Sequence, residues 1–226
     1  MFQYFNSKDM QLQLYHLYTH RQKLQKKHGE KSLFAIHGAG CIEKPNICFV
    51  FMNPTGKNIS ATKEWKGIRA PRLGTKNVWK IFLVRNIISQ KTFEHIQNLK
   101  ANEWTENFAE KLYKEIAKKK IYITNLAKCT QRDARPLGDK VFKDYLISTL
   151  EELAILQPKH IISFGNQVSS VLLGKKIKVS EYTAWKYEIL MIKNKEYKVY
   201  PIFYPVGQGT RNMPQAIKSI KKIYQQ

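Results

Sequence analysis

Three short, mainly apolar and β-branched runs punctuate the chain: ICFVF at 47–51, IYIT at 121–124 and HIISF at 160–164. None alternates apolar with polar, so each reads as a strand covered on both faces, as in the middle of a parallel sheet. Each run also stops in turn chemistry: Asn53-Pro54-Thr55-Gly56 after the first, Asn125 after the second, Gly165-Asn166 after the third. Between the runs, apolar positions recur at helical spacing and predict helices over 8–28, 75–89, 103–118, 138–156 and 167–174. The fourth of these presents Val141, Tyr145, Leu146, Leu150, Leu153 and Ile155 as its apolar face, and Pro158 ends it. Segments 188–192 and 198–206 supply the last strands, and a closing helix follows with Pro214 in its first turn.

Alternating strands and helices imply an α/β fold: a parallel sheet between two layers of helices. A length of 226 residues suits one domain, with residues 1–30 forming a helical extension packed on its periphery. In such sheets ligands bind at the carboxyl ends of the strands. Asn53, Asn125 and the turn after Phe203, which reads YPVGQGTRNM, therefore fall on one rim despite their separation in sequence. An amide offers a donor and an acceptor on adjacent atoms, which is what pairing with a nucleobase edge requires, although asparagine after a strand is also a common turn residue. The polar connection over 59–74 is long for a structureless one and reads as a binding loop or lid. Trp65 within it, flanked by Lys63, Lys66 and Arg69, suits base stacking if exposed, or pins the loop to the core if buried.

Charge narrows the partner. The chain has 39 Lys and Arg against 17 Asp and Glu, a net charge of +22 spread along its length. Such an excess points to a polyanion, most often nucleic acid, the alternative being lysine-coated helix surfaces. A mean hydropathy of -0.45 with no long apolar run argues against a membrane span. The start lacks a secretory pattern, so a cytoplasmic location is expected. Cys41, Cys48 and Cys129 contain no Cys-x-x-Cys pair, and His16 and His20, four apart, lack a third ligand. Reduced thiols, surface histidines and neither metal nor cofactor are expected.

From about Gly38 onward the chain resembles the uracil-DNA glycosylase superfamily. FVFMNPTG is similar to the first motif of its single-strand-selective and mismatch-specific branches. YITNLAKCTQRDARPLGDKVFKDYL, followed by LQPKHIISFGNQVSSVLLG, is similar to the middle of its iron-sulfur branch, and FYPVGQGTRNMPQA stands where the second motif and its wedge loop fall. The resemblance implies a four-stranded parallel sheet in a three-layer α-β-α fold and hydrolysis of the N-glycosidic bond of a flipped-out uracil or related base. It makes Asn53 and Tyr204 the catalytic pair, the first orienting water and the second stabilising the departing base. Asn125, with Met52 and Trp65, would bind the base. Lys57, Lys128, Arg132, Arg135, Gly207, Gln208 and Arg211 would grip DNA, the protein acting as a monomer. Tyr204 stands where the family usually has histidine, and only Cys129 matches a cluster cysteine, so no iron-sulfur cluster is expected. Two other readings compete: a protein that keeps the pocket and reads a modified base without cleaving it, and a basic scaffold with no nucleic-acid role.

Overall fold

The computed structural model describes residues 7–182 and 186–225. Its sheet runs in the order β1-β3-β2-β4-β6-β5, with β1 at Ala39–Gly40, β2 at Ile47–Phe51, β3 at Ile121–Asn125, β4 at His160–Phe164, β5 at Glu188–Ile192 and β6 at Lys195–Ile202. The four inner strands are parallel and the two edge strands antiparallel, so the sheet has six strands where four were expected. β1 is only two residues long, too short for any periodicity to betray it. β5 and β6 form a hairpin whose turn residues, Lys193 and Asn194, have φ of 46° and 62°, the left-handed pair that a tight hairpin requires. Every residue of β2, β3 and β4 is buried, as runs without polar alternation demand.

Successive residues of a strand point to opposite faces, and β2 divides accordingly. Phe49 and Phe51 enter one core with Trp79, Phe82 and Phe164, while Cys48 and Val50 enter the other with Tyr122, Tyr145 and Val168. Helices α1 (Ser7–His28), α2 (Gln90–Asn98), α3 (Glu106–Lys118), α4 (Asp139–Leu156), α5 (Asn166–Leu173) and α6 (Met213–Ile223) cover the two faces. The helix expected over 75–89 is instead a 3-10 segment, Asn77–Asn86, broken at Val84 and Arg85. Its buried residues explain this: Val78, Ile81 and Val84 lie three apart, as do Trp79 and Phe82, which is the period of the tighter helix. α2, which the pattern does not announce, starts where the Ser89 hydroxyl accepts from the Thr92 amide at 3.0 Å.

The other face is more polar than the pattern predicts. The Arg21 side chain of α1 is fully buried, as is the Glu152 of α4 that it meets at 3.2 Å. Of the predicted stripe on α4, Tyr145 and Leu153 are buried and Val141, Leu146, Leu150 and Ile155 pack half-buried against the core, but the fully buried face also takes in Phe142, Ser148, Thr149, Glu152 and Leu156. Polar residues sit on that face because each finds a partner. Glu152 takes the Lys128 ammonium at 2.7 Å, the Tyr122 hydroxyl at 2.9 Å and the Thr124 hydroxyl at 3.2 Å, while Arg21 also donates to the Ser148 carbonyl at 2.8 Å. Burial alone would raise Glu152, but Arg21 and Lys128 outweigh it and hold the carboxyl at about 2. Beside this network His37 is buried, stacked on Tyr18 at 3.8 Å, and burial reinforced by the Arg21 charge lowers it to about 3.

Breaking one side of a buried, hydrogen-bonded ion pair costs about 3–5 kcal/mol. Arg21→Met leaves Glu152 with Lys128 and is expected near the low end of that range; Glu152→Gln strands two cations and is expected near the high end. Urea denaturation measures both. Folding depresses both His37 and Glu152, so their contributions are complete above the ordinary values of 6.5 and 4.5 and lost as pH falls toward about 3 and about 2. Urea midpoints across pH 7 to 3 should therefore decline from about pH 6.5 downward, and His37→Phe should flatten the upper part of that decline.

Candidate functional site

The carboxyl end of β2 continues into Met52-Asn53-Pro54 without leaving its neighbour. The amides of Leu126 and Ala127 donate to the carbonyls of Phe51 and Met52 at 2.7 and 3.0 Å, and those of Gln131 and Gly56 continue the ribbon to Pro54 and Gln131. The loops after β2 and β3 are thus one hydrogen-bonded rim. Asn125 is the register partner of Phe51 and alternates with Ile123, so its side chain shares a sheet face with the Phe51 ring. That amide is 1% exposed, and neither Oδ1 nor Nδ2 meets a protein partner. Buried polar atoms are nearly always paired, so an amide with both ends open keeps its donor and acceptor free for a ligand.

Asn53 is half-buried, and its Nδ2 donates to the Pro54 carbonyl at 3.0 Å. What it offers outward is therefore an acceptor, Oδ1. Met52 lies partly buried against the core on the α4 side. Tyr204, past the end of β6, meets the edge of Phe51 at 6.4 Å between ring centroids, and Phe51 itself stacks on Phe164 at 4.2 Å. Gly165, at φ 87°, makes the turn after β4 beneath the Tyr204 side chain, and a Cβ at Gly209 would collide with the Tyr204 carbonyl, so the chain folds tightly over that residue.

Arg72 completes the arrangement and was not foreseen. Its guanidinium lies 4.2 Å from the centroid of Phe51 and donates to the Tyr204 hydroxyl oxygen at 3.1 Å. With an arginine on the oxygen, the phenol proton is left to point elsewhere. Arg72 sits at φ 69°, a left-handed conformation uncommon for a residue with a Cβ, and its neighbours hold it there. Tyr113 donates to the Pro71 carbonyl at 2.5 Å, Asn58 to Ala70 at 2.9 Å, and the Thr75 hydroxyl to Arg72 at 2.6 Å. The connection over 59–74 is thus a pinned loop, not a mobile lid.

Two predicted contacts are corrected. Trp65 is 6% exposed and its indole donates to the Ile68 carbonyl at 2.9 Å, so it anchors the loop and offers no ring to a base. Lys128 has no exposed surface, being folded back onto Glu152, Thr124 and the Asn125 carbonyl, so it supports the rim from beneath and touches no outside phosphate. Lys57, Arg132, Arg135, Gly207 and Arg211 are exposed. Lys57 and Arg132 leave adjoining strands of the rim ribbon, Arg135 pairs with Asp133 at 2.9 Å, and Gly207 and Arg211 belong to the 3-10 segment Gly207–Asn212 before α6. The Gln208 side chain lies outside the described residues. His16 and His20 are exposed on α1, and all three cysteines are buried free thiols.

Sheet and rim together define a three-layer α/β protein whose polar side chains gather at the carboxyl ends of parallel strands. The model of the uracil DNA glycosylase superfamily matches residues 37–226, and the chain belongs to that superfamily. Members are generally hydrolytic N-glycosylases, and a glycosylase-like role in DNA processing follows. None of the curated proteins compared matches the chain. No helix among the described residues is long and apolar enough to cross a membrane.

The open amide generates a test that needs no substrate. Replacing a buried, unpaired polar group with an apolar one of similar shape is neutral or stabilising, by about 1 kcal/mol here. Asn125→Leu is therefore expected to match or exceed the wild type in urea denaturation, whereas Thr124→Val, which removes a used hydroxyl, is expected to lower stability by about 1 kcal/mol.

Proposed function

We propose that the protein is a monofunctional DNA glycosylase that removes uracil or a related deaminated base by flipping it out of the strand and directing water at the sugar. The observation that supports this most is the buried, unpartnered amide of Asn125 on the same sheet face as Phe51, Tyr204 and Arg72. Its donor and acceptor suit the complementary edge of uracil, and the same edge on cytosine runs in the opposite order. The whole chain, α1 included, would work as one unit and as a monomer.

In this reading the water oxygen bonds to the sugar C1′ as the bond from C1′ to the base breaks, the bonding electrons leave on the base, and the proton shed by the water ends on the departed base anion. Asn53 cannot take the water's proton, since an amide is not a base near neutrality; its Oδ1 orients the water by accepting a hydrogen bond. Tyr204, backed by the Arg72 cation, donates its hydroxyl toward the negative charge gathering on the leaving base. Lys57, Arg132, Arg135, Gln208 and Arg211, with the turn at Gly207, hold the backbone while the base leaves its stack at a cost of a few kcal/mol.

Oligonucleotides carrying uracil, hypoxanthine, xanthine or mismatched thymine, followed by mass spectrometry for free base, test the proposal. Release from at least one is expected, with Asn53→Ala abolishing it and Tyr204→Phe lowering kcat by about 10²-fold, the scale for one lost donor to a developing anion. Undiminished release by Asn53→Ala would remove that residue from the mechanism. The phenol in place of the family's usual histidine favours a second reading, a pocket that recognises a modified base without cleaving it. Salt-sensitive binding with no base released from any substrate would select that one.

A further inference from the structure

α6 shows two stripes at helical spacing. Met213, Ala216, Ile220 and Ile223 face the core. Pro214, Ile217, Lys218 and Lys221 form the other stripe, which faces a groove of about 1080 Å³ shared with α2 and the 3-10 segment Asn77–Asn86. Phe93 and Ile217, both half-buried, floor this groove, exposed Lys80, Lys218 and Lys221 edge it, and Asn77 and Gln97, the latter donating to the Lys76 carbonyl at 3.3 Å, also line it. The described residues that line it include no carboxylate. Thr210 and Arg211 stand at one end, so the groove is continuous with the loop that follows Tyr204.

A lysine face on a helix is ordinarily solvated and convex. Here the lysines border a concavity with an apolar floor, and an aromatic ring between cations and amides is what an unstacked base on a phosphate backbone needs. A duplex hides its base faces and has no use for such a floor. We propose that this groove is a second nucleic-acid site, binding single-stranded DNA that runs on from the Gly207–Asn212 segment. The proposal rests on nucleic acid being the partner and extends the binding surface beyond the catalytic rim.

The test compares two variants of equal charge change in the full chain. K80E/K218E/K221E alters the groove; K23E/K140E/K143E alters exposed lysines on α1 and α4. Thermal melts of both are expected to match the wild type. Fluorescence anisotropy with an undamaged single-stranded oligonucleotide should show the groove variant at least tenfold weaker than the control variant. Its salt slope should fall by about 2, the value for three lost contacts to a single strand. Crosslinks from 5-iodouracil in that oligonucleotide should map to α2 or α6. Equal affinity in the two variants, with the wild type binding, overturns the groove while leaving the proposed function standing. Equal weakening on duplex and single strand overturns the single-strand assignment. Loss of binding to a polyglutamate peptide alone assigns the groove to an acidic protein. A wild type that binds no DNA fails both readings.

Discussion

One carboxylate organises the far side of the rim. Glu152 is shared between Arg21 of α1 and Lys128 of the loop after β3, with hydroxyls from Tyr122 and Thr124 completing its shell. Two cations and one anion leave a net positive charge fully buried, which is sustained only because each group is hydrogen-bonded as well as paired. Lys128 also donates to the Asn125 carbonyl, so the strand end that presents the open amide is fixed from below by the same cluster. α1 contributes a second tie, since the Gln25 side chain accepts from the Thr130 amide at 2.7 Å and donates to the Leu33 carbonyl at 3.0 Å. The family match begins at residue 37, yet part of what holds its strand-end loop, Arg21 and Gln25, comes from a helix that precedes it.

The opposite side of the rim is held differently. Arg72 reaches Phe51 and Tyr204 from a loop whose regular structure is one 3-10 turn, Ile59–Ala61, and the loop is held because its carbonyls are taken one after another by Asn58, Tyr113 and Thr75. A left-handed backbone at Arg72 is tolerated within that framework and directs the guanidinium where a relaxed residue would not send it. One side of the site thus depends on a buried ion cluster and the other on a strained, well-anchored loop.

Much of this was legible because some physical rules act locally. Fully buried parallel strands must be mainly apolar, without alternation, so β2, β3 and β4 could be read directly, and their polar terminators gave the rim. Two kinds of feature escaped. Trp65 and Lys128 carry no local mark of burial, since a tryptophan or lysine in a polar stretch looks the same whether it faces solvent or a partner supplied from elsewhere. Arg72 meets a residue 132 positions away, and nothing near it in sequence records the contact. Glu152 was within reach: it lies seven residues after Tyr145 and four after Ser148, on the inward side of α4, where a charged residue signals a buried counterion.

The electrostatics of the two sides bear on how the proposed reaction would divide its barrier. A neutral asparagine facing the sugar offers only a dipole to an oxocarbenium-like centre, whereas a carboxylate would offer a full charge. Stabilisation must then come mainly from the leaving-group side, where charge of the opposite sign accumulates. Two features supply it: Arg72 behind Tyr204, and the net positive cluster beneath Asn125, both in surroundings poorer in water than the surface, where a fixed charge acts over a longer distance. Such an arrangement favours bases that already leave easily as anions. Replacing the phenol should accordingly slow poor leaving groups more than good ones, an asymmetry that a mere packing role for Tyr204 would not produce.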